Sequence, residues 1–264
     1  GKLKDISDTD KIRGDLALEF INKALSKNYQ VVVVDGKSSK DYQKHLLKLD
    51  GKLKIIKRKS VKSSPAKRQA FMVASALPNI KVIVACEPEK TSIIDSITDL
   101  AIPILEGRAD IVVAKRNDKL FKQSFPNYMY YSEVEGNRLY NKQLKLHHLL
   151  SSQDDELDMF FGPRIFANTQ KVLEIFTRNY LKFFKNPPKN QCFDPENHSN
   201  TLYFPIVTAL KENLKIISVE IPFIYPKLQK TNESTGARNF FIEKRRKQKL
   251  SMLLELQYLL NYLK

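Results

Sequence analysis

Ile80-Lys-Val-Ile-Val-Ala85, followed at once by Cys86-Glu87-Pro88-Glu89-Lys90, is the stretch on which the fold turns. A short β-branched run that ends in a turn reads as a strand, and here two carboxylates spaced i, i+2 stand at its carboxyl end. Upstream, Leu16, Phe20, Ile21, Ala24 and Leu25 recur at helical spacing, and Tyr29-Gln-Val-Val-Val-Val34 ends at Asp35-Gly36. A helix over about 40–49, a strand at Leu53–Ile56 and a helix opening near Pro65 continue the alternation. Downstream, Ile93, Ile97, Leu100, Ala101 and Ile104 share one helical face before Gly107 and the strand Ala109–Ala114. Such inner strands, apolar along their length, are expected to be buried on both faces. The pattern predicts an α/β fold, three-layer α/β/α with a mainly parallel central sheet and ligands at the carboxyl ends of its strands. The loops after Val34, Ala85 and Ala114 are therefore the places to look for a site.

Beyond residue 116 the rhythm loosens. A polar stretch leads to a helix over about 128–149, the acidic link 153–158, and the segment Met159-Phe-Phe-Gly-Pro-Arg-Ile-Phe166. A helix over about 168–184 precedes a Pro/Asn-rich loop at 186–200. A helix near 201–213, a strand over 215–224 and a basic amphipathic helix from about 239 follow. No repeat or interdomain linker interrupts this, so one domain over 1–264 is expected.

With 42 % hydrophobic and 28 % charged residues in 264, the chain has the balance of a soluble protein with one large core. No apolar run approaches the roughly 20 residues needed to cross a bilayer, and the first ten residues lack a signal peptide's apolar centre. Cys86 and Cys192 are the only cysteines and form no CxxC pattern, which points to a reducing, cytoplasmic setting. The formal charge of +16 suits phosphate-rich ligands or peripheral contact with an anionic membrane. The basic residues are spread along the chain and the aromatics are not interleaved with them, so no specific nucleic-acid partner is expected.

Carboxylates at a strand's carboxyl end can hold a hard cation against a diphosphate, which makes Glu87 and Glu89 candidate ligands for Mn2+ or Mg2+. Asp158 precedes an apolar stretch and is a candidate general base. Taken alone, Asp35-Gly36 is also an ordinary turn, Lys67-Arg68 an ordinary basic helix start, and Gly162-Pro163 a routine turn. The four histidines form no ligand pair, and His198 reads as a loop residue rather than a metal ligand.

The strand ending in Asp35, the helix start Pro65-Ala-Lys67-Arg68-Gln69, the acidic pair and the phrase Gly107-Arg-Ala-Asp-Ile-Val-Val-Ala-Lys-Arg116 follow one another as in family-2-like glycosyltransferases. The resemblance runs from about 15 to 226, through Phe161-Gly-Pro-Arg164 and Tyr203–Pro222. It implies a GT-A fold and a nucleotide-diphosphate sugar donor, with residues to about 116 as the nucleotide half and 117–264 as the acceptor half. Asp35, Gly36, Lys67, Arg68 and Arg116 would then meet the donor, and Gly162, Arg164, Tyr225 and Gln229 would lie toward an acceptor hydroxyl. A mobile loop over the donor is implied at Tyr225–Gln229 and Glu233. Two features depart from the family: Glu87-Pro88-Glu89 replaces its usual Asp-x-Asp, and the Glu-Asp pair that serves many inverting members as base is missing. Two other readings share the pattern: nucleotidyl transfer, which would want a Gly-rich phosphate loop this sequence lacks, and a catalytically idle basic module that binds nucleic acid or an anionic membrane.

Overall fold

The computed structural model describes residues 8–36, 38–49, 53–151, 153, 156–184, 186–188, 192–235 and 238–263. Asp154 and Asp155 of the acidic link, and 189–191 of the Pro/Asn-rich loop, lie outside them. The chain is a mixed α/β protein. Its first half alternates: α1 (Asp8–Ser26), β1 (Val31–Asp35), α2 (Lys40–Leu47), β2 (Leu53–Lys57), α3 (Ser63–Ser75), β3 (Val82–Ala85), a 3-10 turn at Thr91–Ser96, α4 (Ile97–Leu105) and β4 (Ile111–Arg116). The ends of these elements follow from local chemistry. Ser39 caps α2 by accepting from the Tyr42 amide, and α4 stops at Gly107, whose φ of 71° a residue with a Cβ adopts only with strain.

The second half begins with α5 (Asp118–Ser124) and α6 (Asn127–Leu146), and then β5 (Arg164–Ala167). It continues with α7 (Gln170–Thr177), a 3-10 turn at Tyr180–Phe183, α8 (Ser199–Leu202), α9 (Phe204–Lys211) and β6 (Ile216–Ile221). It closes with α10 (Lys227–Ser234) and α11 (Arg238–Tyr262). The helix expected over 168–184 is thus α7 and a separate 3-10 turn, and the expected loop at 225–233 is mostly the helix α10.

The strands do not form a single mainly parallel sheet. Among the described residues β1 and β2 make a parallel pair, and a separate four-stranded sheet runs β3-β5-β4-β6. In it β5 is antiparallel to both β3 and β4, while β4 and β6 are parallel. The expectation failed because an apolar run reports burial, and a central strand buried on both faces looks alike whichever way its neighbours run. Burial on both faces holds for β4 and β5, whereas β3 alternates and β2 is largely exposed.

The core lies around β4 and β5. Phe166 stacks on Phe176 at 4.0 Å between centroids, and Phe71 of α3 meets Phe166 edge-on at 5.4 Å. α3 also packs on β1, so it bridges the two sheets and carries its first turns to the carboxyl end of β3.

Candidate functional site

Glu87 leaves β3 in a turn closed by the Lys90 amide donating to its carbonyl at 3.1 Å. The turn folds the Lys90 side chain back, so that its Nζ lies 2.8 Å from Glu87 Oε2, and Lys67 from α3 approaches Oε1 at 3.6 Å. Burial by itself would raise the Glu87 pKa, but these two ammonium groups outweigh it and hold the carboxyl well below the ordinary carboxylate range. The third side is closed by backbone: a Cβ on Gly162 would come within 2.3 Å of both Glu87 oxygens. Gly162 is therefore needed for close approach to Glu87, rather than for a positive φ.

Glu89 turns elsewhere, toward Arg13 of α1 at 3.9 Å. Among the described residues no group of three or more His, Cys, Asp or Glu is placed to share a metal ion. With Glu87 between two ammonium groups and Glu89 facing a guanidinium, the acidic pair does not fit a divalent ion. Beside it, burial pushes the Cys86 thiol up to about 12, which leaves it protonated and unreactive at neutral pH.

Around Glu87 lies a cluster rich in cations. Burial, helped by Lys90 and Arg164 and opposed by Glu87, lowers the Lys67 pKa, yet the side chain keeps 21 % of its exposure. His198 is exposed, but the protein crowding it lowers its pKa to about 4, with Lys67, Lys244 and Arg245 adding to the effect. The loop before α8 that carries His198 is docked on the start of α3: the Ser64 amide donates to the Glu196 carbonyl at 2.8 Å, and Lys62 pairs with Asp194. Arg68 is committed to the same loop, with Nη2 at 3.0 Å from Glu196 Oε2. From α11, Glu255 accepts from the Asp194 amide at 2.9 Å and from Ser199.

Arg116 and Asp158 belong to a second, deeper cluster. Arg116 Nε and Nη2 donate to the two Asp158 oxygens at 2.8 Å each, and Nη1 donates to Glu133 at 2.5 Å. Arg245 of α11 reaches the other Glu133 oxygen at 3.3 Å. Asn137 of α6 donates to Asp158 at 2.7 Å, the Phe161 amide donates at 3.2 Å, and Arg116 lies 3.6 Å over the ring of Phe121. Burial would raise the Asp158 pKa, but Arg116 and these donors bring it below its ordinary value. A carboxylate so held is a poor proton acceptor, and its place is that of an anchor. Arg164 is fully buried and, among the described residues, donates to carbonyls, those of Leu202, Phe161, Pro163 and Met159, which fixes the 159–163 turn that Gly162 needs.

The remaining candidates lie apart. Tyr225 and Gln229 are buried and donate to the two oxygens of Glu233 at 2.9 and 3.1 Å, so this segment is internally bonded. Asp35 accepts from the Ser38 amide at 3.2 Å and from Gln43 at 3.1 Å, and the space beside Gly36 is filled by Arg58. Two cavities, of about 380 and 510 Å3, open between α1 and α10 and beside Pro187, Pro188 and Pro195, and Glu87 lines neither.

Sequence reasoning missed Lys90, Glu133, Lys244, Arg245 and Glu255. A signal for part of this set was available. On α6 the buried positions are Met129, Glu133, Gly136, Tyr140, Asn141 and Leu144, an apolar stripe with polar residues set into it. On α11 Glu255 stands among Phe241, Met252, Leu256 and Leu259 in the same way. A charge inside a buried stripe must find a partner, so it marks a network. Compared with known proteins, the chain matches no protein-family model and no curated protein at a significant level.

Proposed function

We propose that the chain is a glycosyltransferase of GT-A type that moves a sugar from a nucleotide-diphosphate donor to an acceptor hydroxyl. The observation that carries this reading is the partly exposed cationic cluster at the carboxyl end of β3, where Lys67 and Lys90 converge on Glu87. It agrees with the order of motifs that the sequence shares with family-2-like transferases. The acceptor oxygen bonds to the anomeric carbon, the bond from that carbon to the diphosphate oxygen breaks, and the hydroxyl proton passes to solvent water. The nucleoside diphosphate leaves with the bonding pair, and fixed cations stabilise the charge it gains. Asp158 serves as a positioning residue, holding Arg116 and the 158–161 turn.

A second reading has a specific observation in its favour. Asp158 is locked in a buried network and the acidic pair diverges, which suits a module that binds diphosphates or an anionic surface without turnover. The test is an assay of UDP- and GDP-sugars for binding and for release of nucleoside diphosphate in the presence of simple glycosides. Binding with turnover is the expected result; binding without turnover favours the module, and no binding of any donor removes the transferase reading.

A further inference from the structure

We propose that this cluster holds its diphosphate on lysine ammonium groups, Lys67 and Lys90, in place of a divalent metal ion, and that Glu87 is a positioning residue for the two lysines. The inference rests on the transferase reading and names how its donor is bound. A divalent cation needs several convergent oxygens, and the sequence offers Glu87 and Glu89 for that task. In the structure they part. Both Glu87 oxygens are already engaged, one by each lysine, and the Gly162 backbone closes the third side. A dication placed on those oxygens would stand beside two ammonium groups, and Coulomb repulsion at such distances is strong in a crowded, weakly solvated site.

The charge balance favours an anion instead. Two ammonium groups meet one carboxylate, and the guanidinium of Arg164, whose hydrogen bonds among the described residues go to carbonyls, adds a further positive charge nearby. Lys67 and Lys90 keep 21 % and 15 % of their side-chain exposure. They are open to a ligand but poorly hydrated, the condition in which a charge-assisted contact to phosphate is strongest. Lys90 is further held 5.0 Å from the ring centre of Phe161, which limits where its ammonium group can go.

The experiment is calorimetric titration of the full chain with UDP and GDP at low salt, in EDTA and separately in Mn2+. It uses wild type, Lys67→Ala, Lys90→Ala, Lys67→Arg and Glu87→Gln, with circular-dichroism melts to establish that each variant is folded. Binding in EDTA is expected, within threefold of that in Mn2+. Each alanine variant should weaken it about ten- to a hundredfold, the worth of one charge-assisted contact. Lys67→Arg should retain most of the affinity, and Glu87→Gln should still bind without metal. Binding that appears only with Mn2+ and vanishes in Glu87→Gln would overturn the lysine assignment and leave the transferase reading in place. Failure of both nucleotides to bind under either condition would overturn the transferase reading itself.

Discussion

The ring of Phe161 is shared by two charged clusters that are built in opposite ways. Arg116 and Lys90 each lie 5.0 Å from its centre. On the Arg116 side, two arginines meet two carboxylates, Asp158 and Glu133, and neither carboxylate exceeds 7 % side-chain exposure. The charges balance and Arg116 uses all its donor nitrogens. On the Lys90 side the cations are in excess, the groups keep part of their exposure, and one glycine leaves room for the carboxylate between them. The difference teaches how to read charge in this protein: a balanced, saturated cluster builds architecture, and an unbalanced, accessible one is ready for a ligand.

The largest expected effect falls on the buried side. Asp158→Ala removes one member of the balanced set and leaves Arg116 with unsatisfied donors, so stability should drop by roughly 3–5 kcal/mol. Urea unfolding measures it directly. A loss below about 1 kcal/mol would break the comparison, because Asp158 would then be free enough to serve as a base.

Two glycines sharpen the contrast at intermediate size. In Gly136→Ala the new Cβ would lie 2.4 Å from the ring of Phe160, which is packed on α6, and overpacking of this kind costs roughly 1–3 kcal/mol. In Gly162→Ala the group that must move is the end of the flexible Glu87 side chain. That change should cost less than about 1 kcal/mol in stability, since it loosens partly exposed ion pairs. It should nevertheless alter nucleoside-diphosphate affinity, whereas Gly136→Ala should not. Melting midpoints and titrations on both variants check the pair, and equal effects of the two on binding would erase the distinction.

The smallest effect is one of pH. As acid is added, the unfolded chain protonates His198 near its ordinary pKa of about 6.5, whereas the folded chain does so only at about 4. Between those values the unfolded state binds more protons, so stability falls with falling pH and this contribution levels off below about 4. Glu87, whose folded pKa is depressed, contributes stability that is lost only below the ordinary carboxylate range. Denaturant midpoints between pH 7 and 4.5 should therefore slope less in His198→Gln than in wild type; identical slopes would mean that its surroundings do not lower the His198 pKa.

Several of these features were legible beforehand. The β-branched runs that became β1, β3 and β4, the stop at Gly107 and the position of the acidic pair just past a strand could all be read from neighbours in sequence. Three elements could not. β5 is four residues long and opens with an arginine, and its burial comes from lying between β3 and β4. α5 and α10 are short and polar, without the apolar stripe that announces a helix. The divergence of Glu87 and Glu89 was hidden for a different reason. An i, i+2 spacing is the same whether the loop brings two side chains together or apart, and here Arg13 and Lys67, from two distant helices, decide it.

By itself the sequence determined a mixed α/β chain rich in cations, with a loop of carboxylates and a lysine at the end of one strand, because strand, helix and turn propensities are set by residues a few places apart. It also supplied the glycine and the buried-stripe polar residues on which the network depends. Tertiary structure alone decided the direction of β5, the split into two sheets, and which cation meets which carboxylate. Arg116 and Asp158 are 42 residues apart, and Arg68 lies 128 from Glu196. Electrostatic pairing depends on distance in space and on shielding from water, and both are fixed only when the helices close over the sheet.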